Sequence, residues 1–344
     1  MTLGIGSEMS MTAVTGPLSV PLIANHPAAK TPVLQDHFRW MGEYVSSLPR
    51  SYFDLMHERL DTDHFGGHTA ALMSNENWFI YQYMGQLTIR LSQAVENFLP
   101  WVEHSLSLKG KNVIEIGCGT GTSTAALARR GAHITALDIS PGSIRINQAR
   151  LDALGLPPQR YITLAPNWLT EDRHFDWSTL ALSNVDVVVA YALIEHLMPA
   201  ERLTLLRNLW RRLPTGAHLV VFETPNRLAP MDWHSTHLPF WNVLPDDLAA
   251  LYAHRSERSD IPPKLKCGDV EAMYRFGRGA SFHEFDLALG TYEIVADFES
   301  PMALDRSNFG QTRQYTEALK DIMSGISVHK GFAAPSLDLI IRKT

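Results

Sequence analysis

Apolar positions along this chain recur at two spacings. Short β-branched or apolar runs at 112–116, 133–138, 160–164, 185–190 and 217–223 have the length and continuity of strands buried on both faces. Segments with helical spacing, at 122–130, 141–154 and 200–212, alternate with them. Such alternation predicts an α/β fold: a doubly wound, mostly parallel sheet with helices on both faces and ligands at the carboxyl ends of the strands. Further strands near 292–298 and 336–342 bring the expected sheet to seven. Before the first strand the pattern is helical, with short amphipathic pieces at 36–41 and 51–57 and a longer one at 77–99 that Pro100 is expected to stop.

The strand 112–116 carries Glu115 and runs into Gly117-Cys118-Gly119-Thr120-Gly121, after which the next helix begins at once. Glycines there permit positive φ and bring bare N–H groups close to a ligand, while the helix start adds a positive end. The second strand ends in Asp138, about twenty residues on, the separation expected of a ribose-binding carboxylate. Glu115 argues against a pyrophosphate beside the loop and is compatible with a cationic ligand.

These two stretches, together with the fourth-strand run that ends in Ile194-Glu195-His196-Leu197, resemble the motifs of the class I S-adenosylmethionine-dependent methyltransferases in family order. The resemblance spans roughly 110–222. It implies S-adenosylmethionine as cofactor, a Rossmann-like core, and cofactor contacts from Glu115, Gly117, Gly119, Gly121, Asp138, Ile139, Ser143, Asn167, Trp168 and Tyr191. N-terminal helices of such proteins often close over the ligands, so Trp78, Tyr81 and Tyr83 are expected either on a lid's inner face or as packing aromatics.

Length then shapes the domain plan. At 344 residues the chain exceeds a minimal core of this kind. The plan is a flexible N-terminal arm at 1–30, a helical cap at 31–108, the core at 109–225, a lid or acceptor-binding insertion at 226–290, and the last strands at 291–344. The arm's composition fits either a poorly structured segment or one lying on another surface. A net charge of −6, with no basic stripe, excludes nucleic acid as the expected partner. The two cysteines, Cys118 and Cys267, cannot build a disulfide framework or a zinc site, and no run is long enough to cross a bilayer. A cytoplasmic protein with a small-molecule acceptor is expected, with a homodimer left open.

Methyl transfer to a hydroxyl needs positioning, exclusion of water and removal of a proton. His237 and His283 are the candidate bases, each equally compatible with a structural role, and His196 is expected beside the methyl group with Tyr191. Arg275 and Arg278 suggest an acidic acceptor, or else partners for Asp269 and Glu284. Tyr81 and Trp233 complete the candidate acceptor site. No metal is expected: His64 and His68, with Asp61 and Asp63, read as a solvated loop. The expected chemistry is O-methylation of a carboxylate-bearing or hydroxylated metabolite. S- or N-methylation of a small acid, an NAD-dependent oxidoreductase and a non-catalytic cofactor-binding protein remain as alternatives.

Overall fold

The computed structural model describes residues 16–32, 34–35, 42–170, 175–304 and 312–344. The expected helical piece at 36–41 and the first half of the N-terminal arm lie outside these residues. Seven strands form one sheet in the order β3-β2-β1-β4-β5-β7-β6, with β1 Asn112–Ile116, β2 His133–Asp138, β3 Arg160–Thr163, β4 Val187–Tyr191, β5 His218–Pro225, β6 Tyr292–Ala296 and β7 Ser336–Lys343. The first five pair in parallel, and β7 runs antiparallel between β5 and β6. The strand order reverses at β1, which pairs with β2 on one side and β4 on the other, so a crevice opens at the carboxyl ends of these strands.

Val187, Val188 and Val189 in β4 are fully buried because helices cover both sheet faces. Helix Thr122–Ala128 is buried along its whole length, and Pro199–Arg212 buries Leu205, Leu206 and Leu209 against the other face. The boundaries agree with the periodicity to within a few residues.

Pro100 does not stop the long N-terminal helix. The chain runs on through π-helical turns, Trp78–Ile89 and Ala94–Phe98, into Leu99–Ser105. Pro100 falls in the first turn of that last segment, where a missing N–H costs least. Residues 16–30 pack along one side, with Leu18 and Leu22 exposed. Val20, Ile23, Ala28 and Ala29 are buried, and His26 stacks on Phe79 at 3.6 Å, so this part of the arm lies on the cap.

Two buried arginines join the added parts to the core. Arg150 donates from Nε to the Thr120 carbonyl at 2.8 Å and from Nη2 to the Gln86 carbonyl at 2.9 Å, tying the cap to the glycine loop. Arg202 pairs with Glu284 at 2.8 Å and donates to the backbone carbonyls of Leu197 and Gly279, tying the insertion to the sheet. The insertion keeps a small core of its own around Trp241, Leu265, Met273 and Tyr274.

Candidate active site

A cavity of about 720 Å³ lies over the carboxyl ends of β1, β2 and β4. The glycine loop forms its floor with φ of 71° at Gly117, 48° at Gly119 and 87° at Gly121. A Cβ at Gly119 would meet nothing within 4 Å, whereas one at Gly121 would press on Asn147 at 2.4 Å and one at Gly117 on Leu193 at 2.7 Å. Gly119 is therefore open toward the cavity, and the other two serve packing. Asp138 ends β2 with Oδ2 accepting the Gly119 N–H and Oδ1 accepting the Ser140 N–H, each at 2.8 Å. Each of its oxygens keeps a further lone pair for a hydroxyl donor.

Glu115 lies beneath the loop, 1% exposed. The hydroxyls of Ser123 and Thr124 donate to its two oxygens, and burial pushes its carboxyl up to about 7.

A second cavity of about 450 Å³ adjoins the first, and Arg90, Ala192, His196 and Arg275 line both. Tyr81 from the cap, Trp233, His234 and His237 from the insertion, and Glu223 from the end of β5 complete its wall. Ala192, Glu223 and His237 hold positive φ of 47°, 61° and 57° although none is glycine. Strain of this kind persists where the surroundings over-determine the backbone, and it gathers at functional sites. Cap and insertion meet above the cavity: Gln82 donates to Asp260 at 3.2 Å, and Arg258, paired with the same carboxylate at 2.6 Å, sits 5.4 Å from the centroid of the Tyr81 ring. Burial, with the neighbouring guanidinium groups adding to it, lowers His196 to about 4 and drives His234 well below the ordinary histidine range.

A family model described as "Methyltransferase domain" matches residues 114–219. Residues 114–219 carry a class I S-adenosylmethionine-dependent methyltransferase domain. Curated relatives include the ubiquinone biosynthesis O-methyltransferases of Paracidovorax citrulli, 27% identical over 131 residues, and Aeromonas salmonicida, 34% identical over 131 residues. Each alignment covers 38% of this chain and 50% of the relative, so the chain spans about half the length of the curated relatives it matches. Among solved structures, magnesium protoporphyrin IX methyltransferase from Synechocystis with bound SAM is 19% identical, at a TM-score of 0.34 over 51% of this chain and 77% of that one.

Most residues expected to hold the methyltransferase cofactor do line the first cavity: Gly117, Gly119, Asp138, Ile139, Ser143, Asn167, Trp168 and Tyr191. Glu115 and Gly121 do not. Glu115 spends both oxygens on hydroxyls and Gly121 abuts Asn147, so they shape the loop from behind. S-adenosylmethionine fits what is present, because Asp138 retains acceptor capacity and the space at Gly119 is free of side chains.

Of the residues expected at the acceptor, Tyr81, Trp233, His196, His237 and Arg275 line the second cavity, while Arg278 and His283 line neither cavity. Arg278 is fully buried, stacks on Trp241 and donates to the carbonyls of Trp241 and Leu244, so it braces the insertion. His283 stacks on Phe282 beside the Ser281 hydroxyl and lines neither cavity, because its helix, Phe282–Ala288, packs behind the site against Pro199–Arg212. Arg275 is already held by Glu201 through two bonds of 2.7 and 2.8 Å. Trp78 and Tyr83 pack with Phe65 in the cap, leaving Tyr81 alone of the three aromatics on the inner face.

His64, expected in a solvated loop, lines the first cavity with Gln86 and Arg90. Asp61 and Asp63 belong to helix Arg50–Asp63, where Asp63 binds Arg145. The sequence signal for Arg90 is only a cation within an apolar helix. Glu223 carries no local signal beyond its place at a strand end.

Proposed function

We propose that the whole chain transfers the methyl group of S-adenosylmethionine to an oxygen of a small hydroxylated metabolite held in the second cavity. The observation that carries this reading is the junction of the two cavities at Ala192 and His196, which lets an acceptor approach a ligand seated on the glycine loop. The cofactor supplies an electrophilic methyl on sulfur. Asp138 would accept its ribose hydroxyls, and Trp168 and Ile139 would flank its base. Tyr81, Trp233, His237 and Glu223 line the second cavity; the two aromatics would give the acceptor flat apolar walls, and His237 or Glu223 would take up a hydroxyl proton.

The names of the curated relatives, O-methyltransferases, support transfer to oxygen. An acidic group is not needed to explain the arginines, since Arg275 and Arg278 are occupied. Arg90 remains, with no hydrogen-bond or ion-pair partner among the described residues, and would meet a carboxylate at the junction.

The test is direct. The purified chain, given S-adenosylmethionine labelled in the methyl group and a panel of phenols, catechols, hydroxy acids, thiols and amines, should label an oxygen acceptor. Cofactor binding by calorimetry with label appearing only on sulfur or nitrogen would overturn the O-methylation reading. No cofactor binding at all would overturn the reading as a whole.

A further inference from the structure

Three lone-pair atoms converge on one buried point beside the acceptor cavity. Glu195 follows β4 and is 0% exposed; its Oε2 accepts from the Thr224 hydroxyl at 3.0 Å, while Oε1 has no hydrogen-bond partner. The Nε2 atoms of His196 and His234 each lie 3.7 Å from that Oε1, and the three ligand atoms all lie within 4.8 Å of one another. The far nitrogen of each ring is committed. His196 Nδ1 is 3.0 Å from the carbonyl of Arg275, which can only accept, so Nδ1 carries the hydrogen and Nε2 is left as a lone pair. His234 Nδ1 is 3.0 Å from the Ser235 hydroxyl, whose own hydrogen goes to the Gly277 carbonyl, so the same holds there.

This arrangement lacks a positive centre. A hydrogen bond between N and O spans at most about 3.2 Å, so a proton shared with either ring does not account for the separation. Ligand atoms around a tetrahedral cation, at bonds of about 2.0–2.2 Å, stand roughly 3.4 Å apart. The hydrogen bonds on the far nitrogens are of the kind that orients metal-bound imidazoles. Of the guanidinium groups nearby, Arg202, Arg258 and Arg275 are paired with Glu284, Asp260 and Glu201, while Arg90 at the junction of the cavities stays an opposing charge that Glu223, on the same cavity wall, offsets.

We propose that Glu195, His196 and His234 bind a divalent transition-metal ion of the zinc class, with an open position facing the acceptor cavity. Two imidazoles and a carboxylate with a free fourth site form the donor set of catalytic zinc. Both rings line the second cavity, so the open position points at the acceptor. The use of the ion rests on the methyl-transfer reading. An acceptor hydroxyl bound there would be acidified, as metal-bound water is, and would give its proton to His237. Its oxygen then forms the new bond to the methyl carbon while the carbon–sulfur bond breaks and its electron pair returns to sulfur.

The chain stripped with chelator is titrated with Zn²⁺, and separately with Co²⁺, in the absence of cofactor and acceptor. One tight site is expected, together with a Co²⁺ visible spectrum of low coordination number. Glu195→Gln and His234→Gln should each weaken binding at least about a hundredfold, beyond the usual cost of losing an outer-shell partner. His234 lies in the insertion, so that variant keeps the core, and its unchanged cofactor affinity reports the fold. Absence of a tight site, or tight binding that survives His234→Gln, overturns the proposal. Tight binding without methyl transfer to any oxygen acceptor overturns the proposed function and leaves the metal site standing. Methyl transfer that persists at full rate after stripping overturns the catalytic use of the ion.

Discussion

The Asp138 carboxylate accepts the backbone N–H of Gly119 at 2.8 Å across 19 residues of chain. The acid expected to grip the cofactor thus also holds the glycine loop in shape before any ligand arrives. Asp138→Ala should therefore remove most S-adenosylmethionine affinity and also lower Tm. An unchanged Tm, read by calorimetry alongside the affinity, would show that the loop keeps its shape without this bond.

The glycines should fail differently. Gly119→Ala adds a Cβ that meets no protein atom, but at positive φ the strain costs about 1 kcal/mol, and the methyl projects where the ligand sits. Gly121→Ala drives a Cβ into Asn147. The first variant should stay folded and lose cofactor binding, whereas the second should lose stability first. Equal losses of Tm in the two would contradict this division.

Burial penalises the charged form of Glu115 and pushes its carboxyl from the ordinary 4.5 up to about 7 in the folded chain. With the folded value raised, the native state binds protons more readily than the unfolded one between these limits. Its contribution to stability therefore falls as pH rises from about 4.5 to about 7 and is level above that. The Tm of Glu115→Gln relative to the parent should climb across this window. A difference independent of pH would place the titration elsewhere.

His237 lines the second cavity at positive φ, and His283 lines neither cavity. His237→Ala should lower kcat roughly a hundredfold if it takes the acceptor proton, while His283→Ala should leave both kcat and KM unchanged. Steady-state kinetics with an acceptor found in the labelling panel decides it, and a large effect at His283 would reverse the assignment.

Arg278→Met should cost about 2–4 kcal/mol, because the Trp241 and Leu244 carbonyls lose a buried donor. Arg90→Met should instead leave Tm nearly unchanged and raise the KM of cofactor or acceptor. Thermal melts and kinetics of the two variants separate these roles. A raised KM with unchanged Tm in Arg278→Met would return that residue to the ligand.

The strand runs, the three glycines and the acid at the end of β2 are local features, and the sequence by itself determined the sheet, its helices and the cofactor side of the site from them. Backbone geometry carries that information, because strand period, positive φ and helix starts are written within a few neighbouring residues. The acceptor side was decided by tertiary structure. Arg275, Arg278 and His283 are close along the chain and alike in chemistry, yet one faces the cavities bound to Glu201, one is sealed under Trp241 and one packs behind the site. Their fates depend on how the insertion docks through Arg202, a contact 82 residues long in sequence. The meeting of Glu195 and His196 with His234 depends on that same docking, since only the folded insertion brings the third group to the other two.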